Sequence, residues 1–447
     1  MANVVTNIFK IPELRNRVLF TVFMLIVYRI GSFIPIPGID VEALKVYFAE
    51  AQSAASGLIN FMDLFAGGAL KRFTIFALGI MPYISASIII DLMKVVFPPL
   101  EKLSKEGPEG QKKLAQYTKY GTVLLCTVQG LALTTWMKSM RTKGGGEVVP
   151  ADAGIGFVIV AVIAIVTGTM VLMWFGEIIT ERGIGNGISL LIFAGIIVRA
   201  PQACISTMNK IGDTGEPIVG VVLGGIFLLV IAASILLTLG VRKIPVQYGK
   251  KMIGGTASQQ SAQYIPLRIN AAGVIPIIFA SAILMFPSQV INMIGGSDYV
   301  FLNQMQFWLS PGQLPYMLVY SALIVFFCYF YTAIRFNPVE IADNLKKNSG
   351  FIPGIRPGQT TTDYIMKLLN RVTLFGSLFL AGIAIVPDII IRIWPEQIAP
   401  TMAYLFGGTS LLIIVGVALD TLKQIEAQLI MRHYDGFFKD SKIQGRR

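Results

Sequence analysis

The stretch GLINFMDLFAGGALKRFTIFALGIMPYISASIIIDLMKVV, residues 57–96, decides how the rest of the chain is read. Its first part, Leu58 to Phe65, would cover about 12 Å as a helix at roughly 1.5 Å per residue, too short to cross a bilayer. A run long enough to cross follows almost at once, at 74–96. Between the two, Gly67-Gly68 favours a helix end, and Lys71 and Arg72 are costly at the bilayer centre. An apolar half-element hinged onto a spanning helix reads as a re-entrant plug. Non-helical backbone at membrane depth is tolerated only inside protein or beside a water-filled cavity, so a cavity is implied.

The remainder of the chain supports a membrane reading. Its 447 residues are 54% hydrophobic and only 14% charged, with a mean hydropathy of +0.68, far more apolar than a soluble protein of this length. Low-charge apolar runs recur at 19–38, 74–96, 117–137, 154–174, 184–200, 217–240, 271–290, 314–334, 372–391 and 401–422. Each can span as one helix, which predicts an all-α polytopic membrane protein with ten transmembrane helices. The first run is too long, and too poorly flanked by small residues, for a cleaved signal peptide, and is kept as a helix.

Lys10, Arg15 and Arg17 precede the first run, which places the N-terminus in the cytoplasm by the positive-inside tendency. With that orientation, 27 of the 37 lysines and arginines fall on the cytoplasmic side, and both termini lie inside. The net charge of +12 is concentrated there, either as ordinary topology signal or as docking surface for an acidic partner. Five runs precede residues 201–216 and five follow. An odd number makes the second half enter from the opposite face, the arithmetic of an inverted-topology repeat, although a chance division of ten helices gives the same count. The expected organisation is an N-terminal half at 1–200 with the plug at about 57–67, an external hinge loop at 201–216, and a C-terminal half at 217–447. The second half carries cytoplasmic docking loops at 241–268 and 336–366 and a cytoplasmic tail at 423–447.

Several chemistries are excluded. Cys126, Cys204 and Cys328 have no C-x-x-C spacing, and the one histidine, His433, lies in the tail, so neither a Ser-His-Asp arrangement nor a His-based metal site can be built. No G-x-x-x-x-G-K-[ST] run occurs. No catalytic residue, metal or cofactor is expected, and the energy for any work comes from elsewhere. Gly183, Gly185 and Gly187 look superficially like a nucleotide-binding turn, but no βαβ unit surrounds them; they read as a tight turn between two spans.

Ile80 and Ile84 are one helical turn apart, as are Ile275 and Ile278 within a residue, and Pro82 and Pro276 lie between or beside them. The prolines predict two spans that bend or move. Isoleucine pairs alone also suit lipid contact or packing. The loop 241–268 carries Arg242, Lys243, Lys250, Lys251 and Arg268 among Gly, Ser and Gln, and is too polar to enter the membrane. In FNPVEIADNLKKNSGFIPGIRPG, residues 336–358, a short helix is predicted from Pro338 to Lys346-Lys347, with Arg356 held on a Gly- and Pro-constrained tip. An arginine so held suits bidentate pairing with carboxylate or phosphate, or is simply solvated.

Six stretches taken together resemble the SecY family, the central subunit of the protein-conducting channel. They are IGSFIPIPGID (30–40), the 67–90 segment, LMWFGEIITERGIGNGIS (172–189), NAAGVIP (270–276), the FNP…EIADNLKK…GFIPGIRPG segment (336–358) and FGGTSLLI (406–413). The resemblance covers nearly the whole chain. It implies a pore ring of Ile80, Ile84, Ile192, Ile275, Ile278 and Ile413, an apolar constriction that gates by dewetting yet deforms around a passing chain. It implies a plug of Leu58, Ile59, Phe61, Met62, Leu64 and Phe65 beneath that ring. A lateral gate between the second and third and the seventh and eighth spans would be lined by Ser85, Gln129, Asn270 and Phe286. Lys250, Lys251, Arg268 and Arg356 would dock partners. The implied partners are the small membrane subunits SecE and SecG, the translocation ATPase SecA, the ribosome, signal peptides and nascent chains, and membrane lipids, all at the bacterial plasma membrane. Many family members carry adjacent basic residues where this chain has Gly255 and Thr256, and a neutral glutamine where it has Asp91, whose carboxylate is expected to reach the headgroups.

Two other readings compete. A secondary transporter of small solutes has similar repeats and interrupted helices, but generally needs polar or ionisable groups near the midplane. Asp91, Glu177 and Asp420 are expected at cytoplasmic helix ends, and the proposed midplane is aliphatic. A structural scaffold leaves a plug-like segment and projecting loops unexplained. The expected function is conduction of unfolded polypeptide across the membrane, or its lateral release into lipid.

Overall fold

The computed structural model describes residues 11–50, 63, 65–138, 140, 147–150, 154–214, 217–248, 252–253, 256–257, 263–270, 272–293, 304, 308, 312–394, 398 and 400–440. It is mostly helical. The helices are α1 (Pro12–Gly31), α2 (Val41–Glu50), α3 (Met81–Val96), α4 (Pro98–Lys105), α5 (Pro108–Lys138), α6 (Ile155–Arg182), α7 (Gly187–Thr214) and α8 (Pro217–Leu239). After strands β1 (Val241–Tyr248), β2 (Met252–Ile253), β3 (Thr256–Ala257) and β4 (Gln263–Arg268) come α9 (Ile275–Met293), α10 (Leu314–Arg335) and α11 (Pro338–Lys347). Strand β5 (Gly350–Phe351), α12 (Gln359–Ile393), α13 (Pro400–Phe406) and α14 (Gly408–Asp440) complete the order.

Among the described residues, six helices are individually long and apolar enough to cross a membrane, or seven when α3 and α4 are joined as one bent span. The expected runs at 19–38, 117–137 and 271–290 fall on α1, α5 and α9. The outer surface is what a bilayer requires. On α8, only Val219, Val230, Ser234 and Leu237 are buried, while Ile218, Val221, Leu228, Leu229 and Leu236 stand largely exposed. A helix apolar all round and covered on one side only faces hydrocarbon on the other.

The second span starts later than expected. Residues 74–80 are not helical, because the backbone there pairs elsewhere: Ile36 N donates to Phe73 O (3.0 Å), Ile75 N donates to Ile34 O (3.1 Å), and Pro35 and Thr74 form an antiparallel bridge. Gly79 then turns the chain with a φ of +57° and α3 begins at Met81. Pro82 therefore occupies the first turn of α3, where its missing N–H costs nothing. Pro276 is likewise the second residue of α9. Both prolines start helices rather than bend them, which corrects the expectation of kinked spans.

At its other end α3 stops at Phe97, held extended (φ −104°, ψ 109°) by the following Pro98, and α4 leaves at 102° to α3. Residues 201–214, expected as loop, continue α7 through Pro201. Buried Ala203 and Thr207 supply packing that offsets the lost hydrogen bond. The 241–268 segment, read as a polar loop, contains an antiparallel hairpin of β1 and β4 from Val241↔Arg268 to Val246↔Gln263. Strand β1 also pairs with β5, giving the order β4-β1-β5.

Two large cores fill the helical body. One gathers α1, α6, α7 and the 65–80 segment together with Ile278, Leu405 and Ile413. The other gathers α8, α9, α10 and α12 with Ile88 of α3. A third, of Ile244, Leu267, Ile352, Ile365 and Leu369, lies beneath the hairpin. The hairpin lobe joins α8, α9, α10 and α12 at one end of the body.

Candidate functional site

Most of the isoleucines share one large buried cluster. Ile80, Ile192, Ile278 and Ile413 are at most 8% exposed and belong to one buried apolar cluster, with partly buried Ile84 packed against it. Four separate segments supply them: the cap and first turn of α3, the second turn of α7, the start of α9 and the start of α14. Ile80 and Ile84 keep their one-turn relationship although Ile80 precedes the helix, because Ile84 N donates to Ile80 O (3.1 Å). Ile275 packs in the neighbouring core, which Ile84 also touches. The isoleucine side chains carry no polar atoms, while the cluster they share also holds aromatic residues such as Phe65, Phe76 and Tyr404.

Of the plug residues, Phe65 is described; Leu58, Ile59, Phe61, Met62 and Leu64 lie outside the described residues. Phe65 (7% exposed), Ala66, Ala69 and Leu70 belong to the same cluster as the isoleucines. The segment ends as the sequence indicates. Gly67 and Gly68 take left-handed φ of +63° and +91°, and Gly68 N donates to Asp63 O (2.9 Å), closing the turn. Helix α7 passes so close that a Cβ on Gly195 would sit 3.2 Å from Phe65 O.

Charge surrounds this turn, and sequence reasoning missed most of it. Asp63, only 2% exposed, accepts the backbone N–H of Lys71 (3.0 Å) and pairs with the Arg199 guanidinium from α7. Arg29 Nη1 donates to Gly67 O (3.0 Å), and the Arg29 and Arg72 guanidiniums lie 4.6 and 4.2 Å from the centroid of the Phe33 ring. The available signal was an arginine inside an otherwise apolar run, at 199, and an acid inside the half-element, at 63.

The α3–α5 and α9–α10 pairs are each well packed, and α9 meets α3 and α5 along a thinner seam. Ser85, Gln129 and Asn270 are partly exposed; the Phe286 side chain lies outside the described residues. Asp91 pairs with Lys94 one turn on (2.6 Å) instead of standing alone. Glu177, in the last two turns of α6 as expected, pairs with Lys119 of α5 at 2.8 Å. Asp420 lies exposed in the interior of α14, which continues to Asp440 rather than ending near it. Asp388 is buried in α12 beside Tyr316, Tyr320 and Tyr404, and was not weighed in the sequence.

The hairpin lobe exposes Arg242, Lys243 and Arg268, while Lys250 and Lys251 lie outside the described residues. Helix α11 forms where expected, capped by Asn337 Oδ1 accepting from Val339 N (3.2 Å). Arg356 is exposed on a turn bounded by Gly354 and Gly358, both at positive φ, and Thr361 Oγ1 donates to its carbonyl (2.9 Å). The pairing of β1 with β5 brings the two basic segments into one surface.

The glycines at 183–187 form a turn fixed from two sides. Ile184 N donates to Thr21 Oγ1 of α1 (3.1 Å), and Gly185 N to Gln424 Oε1 of α14 (3.0 Å). They join helices and leave their N–H groups no free phosphate cradle.

Fold and site together define a multi-pass helical membrane protein in which apolar side chains from several helices share one buried cluster, with a charged turn at 65–72 beside it and a basic β-lobe at one end. The family model described as SecY matches residues 74–422, and the chain belongs to the SecY family. It is 46% identical over 437 residues to the protein translocase subunit SecY of Streptomyces galbus, covering 96% of this chain and 98% of that one. The corresponding protein of Escherichia coli K12 is 42% identical over 435 residues, covering 97% and 96%. Among solved structures, one described as a protein conducting channel superposes with a TM-score of 0.63 at 18% identity, covering 93% of each chain. Sec61 in a canine ribosome-channel complex gives 0.60 at 17% identity, again with 93% of each covered. These two share the fold.

Proposed function

We propose that this chain is the channel subunit of a protein translocase, conducting unfolded secretory polypeptides across the membrane and releasing transmembrane segments sideways into lipid. The observation that supports the reading is that Ile80, Ile192, Ile278 and Ile413, with Ile84 packed against them, belong to one buried apolar cluster that also includes Phe65. A side-chain ring without polar atoms offers ions no hydration and makes no bonds that a passing chain must break. Ile275 joins the ring from the adjoining core. The segment 58–65 closes it as a plug, and the thin seam between α3–α5 and α9–α10 is the lateral gate, with Ser85, Gln129, Asn270 and Phe286 along it.

The reading is not an enzymatic one. An outside driver supplies the work, and the basic β-lobe with Arg268 and Arg356, joined by Lys250 and Lys251, is its docking surface. An ATPase of the SecA kind would meet it through carboxylates and a ribosome through RNA phosphates. Relatives named as translocase subunits, and a fold shared with a ribosome-bound channel, favour those drivers. Small membrane subunits of the SecE and SecG kind would cover part of the exposed apolar surface. The bacterial relatives and the charge asymmetry support the bacterial plasma membrane with both termini cytoplasmic. A solute transporter is the weaker reading because the relatives are named as translocase subunits and the isoleucine positions themselves carry no ionisable group.

The test is photocrosslinking from a probe replacing Ile84, with lipid-facing Leu228 as control, while an arrested secretory chain is engaged in native membranes. Crosslinks to the chain at Ile84 and not at Leu228 are expected. Absence of contact at Ile84 despite confirmed engagement would overturn the assignment.

A further inference from the structure

Asp388 is a carboxylate that the channel reading does not use, and acids are rare inside spanning helices. It lies in the last two turns of α12, roughly 30 Å along that helix from Leu369 in the core beneath the hairpin, at about 1.5 Å per residue. The residue is 2% exposed. It accepts hydrogen bonds from the Gly312 N–H, just before α10, and from the Tyr404 hydroxyl of α13. Its Oδ1 is buried and has no partner, so both bonds fall on the other oxygen. Tyr316 and Tyr320 of α10, stacked with ring centroids 5.6 Å apart, lie close by. Desolvating a carboxylate is costly, and what holds this one is a backbone N–H and a phenol, not a cation.

This node stands where the two large cores meet. Tyr316 and Tyr320 belong to the core of α8, α9, α10 and α12, whereas Tyr404 belongs to the cluster that holds Ile80, Ile192, Ile278 and Ile413. Helix α13 is only seven residues long and is separated from α14 by Gly407. A Cβ on Gly407 would strike the Pro387 ring, and one on Gly408, at a φ of +56°, would lie 2.8 Å from Ala384 O. The α13–α14 corner therefore rests directly on the α12 turn that presents Asp388. Ile413 follows Gly408 by little more than one helical turn. A glycine corner alone leaves α13 free to swivel against α14. The bond from Tyr404 to Asp388 fixes that angle, and the bond from Gly312 ties the same point to the start of α10.

We propose that Asp388 is a positioning residue that makes α10, one helix of the lateral-gate seam, move together with the corner carrying Ile413, so that the seam parts and the isoleucine constriction widens as one event. The inference rests on the channel reading above. A carboxylate that takes donors from two other elements specifies one arrangement of all three, which apolar surfaces that can repack do not. What the node supplies is acceptor geometry, not charge. Without it a segment still parts the seam and passes into lipid, while the constriction follows incompletely and transport across the membrane slows.

The experiment uses the intact channel complex, purified with its membrane subunits and reconstituted in vesicles with the driving ATPase. It compares the rate at which a secretory precursor crosses with the yield of a single-spanning protein released into lipid. Asp388→Leu and Tyr404→Phe are each expected to slow crossing about fivefold, as loss of one hydrogen bond would, and to leave lateral release within about twofold of the unsubstituted channel. The double variant D388L/Y404F should be no slower than Asp388→Leu alone, because the bond is already gone. Asp388→Asn keeps an acceptor for both donors and should stay near the unsubstituted rate. A merely structural role would lower both readouts in parallel. If Asp388→Leu fails to accumulate, Tyr404→Phe, which removes one hydroxyl and leaves the ring, carries the same test. Parallel loss of the two readouts in Tyr404→Phe, unchanged crossing there, or multiplied effects in the double variant would overturn the coupling. The Ile84 crosslink in the unsubstituted channel separates the two ideas: its presence without the split between readouts removes the coupling alone, whereas its absence removes the channel reading.

Discussion

Gln247 of β1 and Phe351 of β5 face each other across an antiparallel ladder, so two basic segments far apart in sequence form one folded surface. Gly350 makes the pairing possible. A Cβ there would sit 2.8 Å from Tyr248 Cε1 and 3.3 Å from Leu345 Cδ2. Gly350→Val should displace β5 and with it the Arg356 tip. Arg356→Ala is expected to lower partner-driven transport about tenfold, the change that about 1.4 kcal/mol of lost contact makes. Combining the two should lower it little further if Gly350 acts by holding the tip in place. Transport into vesicles with saturating driver measures this, and full addition of the two effects would contradict it.

Ile192, 7% exposed within the aliphatic centre, has no polar partner to offer a substituent. Ile192→Asn places an amide where it can only bind water, which favours a hydrated constriction. Resting ion permeability of reconstituted channels should rise severalfold, while Ile192→Leu should leave it close to the starting value. A leak in the leucine variant equal to that in the asparagine variant would mean that shape, not polarity, maintains the barrier.

Lys119 and Glu177 join α5 to α6 at 2.8 Å with both side chains more than a third exposed. Partial exposure limits the worth of the pair to about 1 kcal/mol or less. Lys119→Met and Glu177→Gln should each lower the melting temperature of the detergent-solubilised protein slightly, and the double variant should lose less than the sum. Thermal unfolding followed by aggregation reports this; strict additivity would show that the two groups do not interact.

Gly187 begins α7 with its Cα pressed on α6, where an added Cβ would lie 2.8 Å from Ile179 Cβ and closer still to Gly176 O. Backbone cannot yield as a side-chain tip does. Gly187→Ala is expected to cost roughly 1–3 kcal/mol through overpacking. Accumulation in membranes and thermal stability should both fall, whereas Gly224→Ala, with open space around it, should change neither.

Much of the architecture was legible because hydrocarbon imposes a simple code. Apolar runs mark spans, and α6, α8 and α10 appear where the hydropathy of 154–174, 217–240 and 314–334 puts them. What was hidden depended on pairings distant in sequence. Residues 74–80 are as apolar as any span, yet hydrogen bonds to 34–36 keep them out of helix. The VRKIPVQY and QYIPLR segments alternate as strands do, with Ile244 and Val246 buried between exposed neighbours, but the density of charge drew attention to solubility instead. The isoleucines could be grouped only by resemblance, since α3, α7, α9 and α14 are far apart in sequence and no spacing relates them. Asp63 and Arg199 drew no attention in the sequence, because the partner that explains each lies on another element.

The turn at Gly185 gives the molecule a spine. There the backbone of the α6–α7 connection is stitched by hydrogen bonds to Thr21 near the start of the chain and Gln424 near its end. Along the line where α9 lies against α3, the halves abut with sparser packing. A body fastened on one line and merely touching on another yields by swinging, as a book opens from its binding, and not by sliding. If that seam is the lateral gate proposed above, its contacts would be the first to part, while the sewn side keeps the two covers in register.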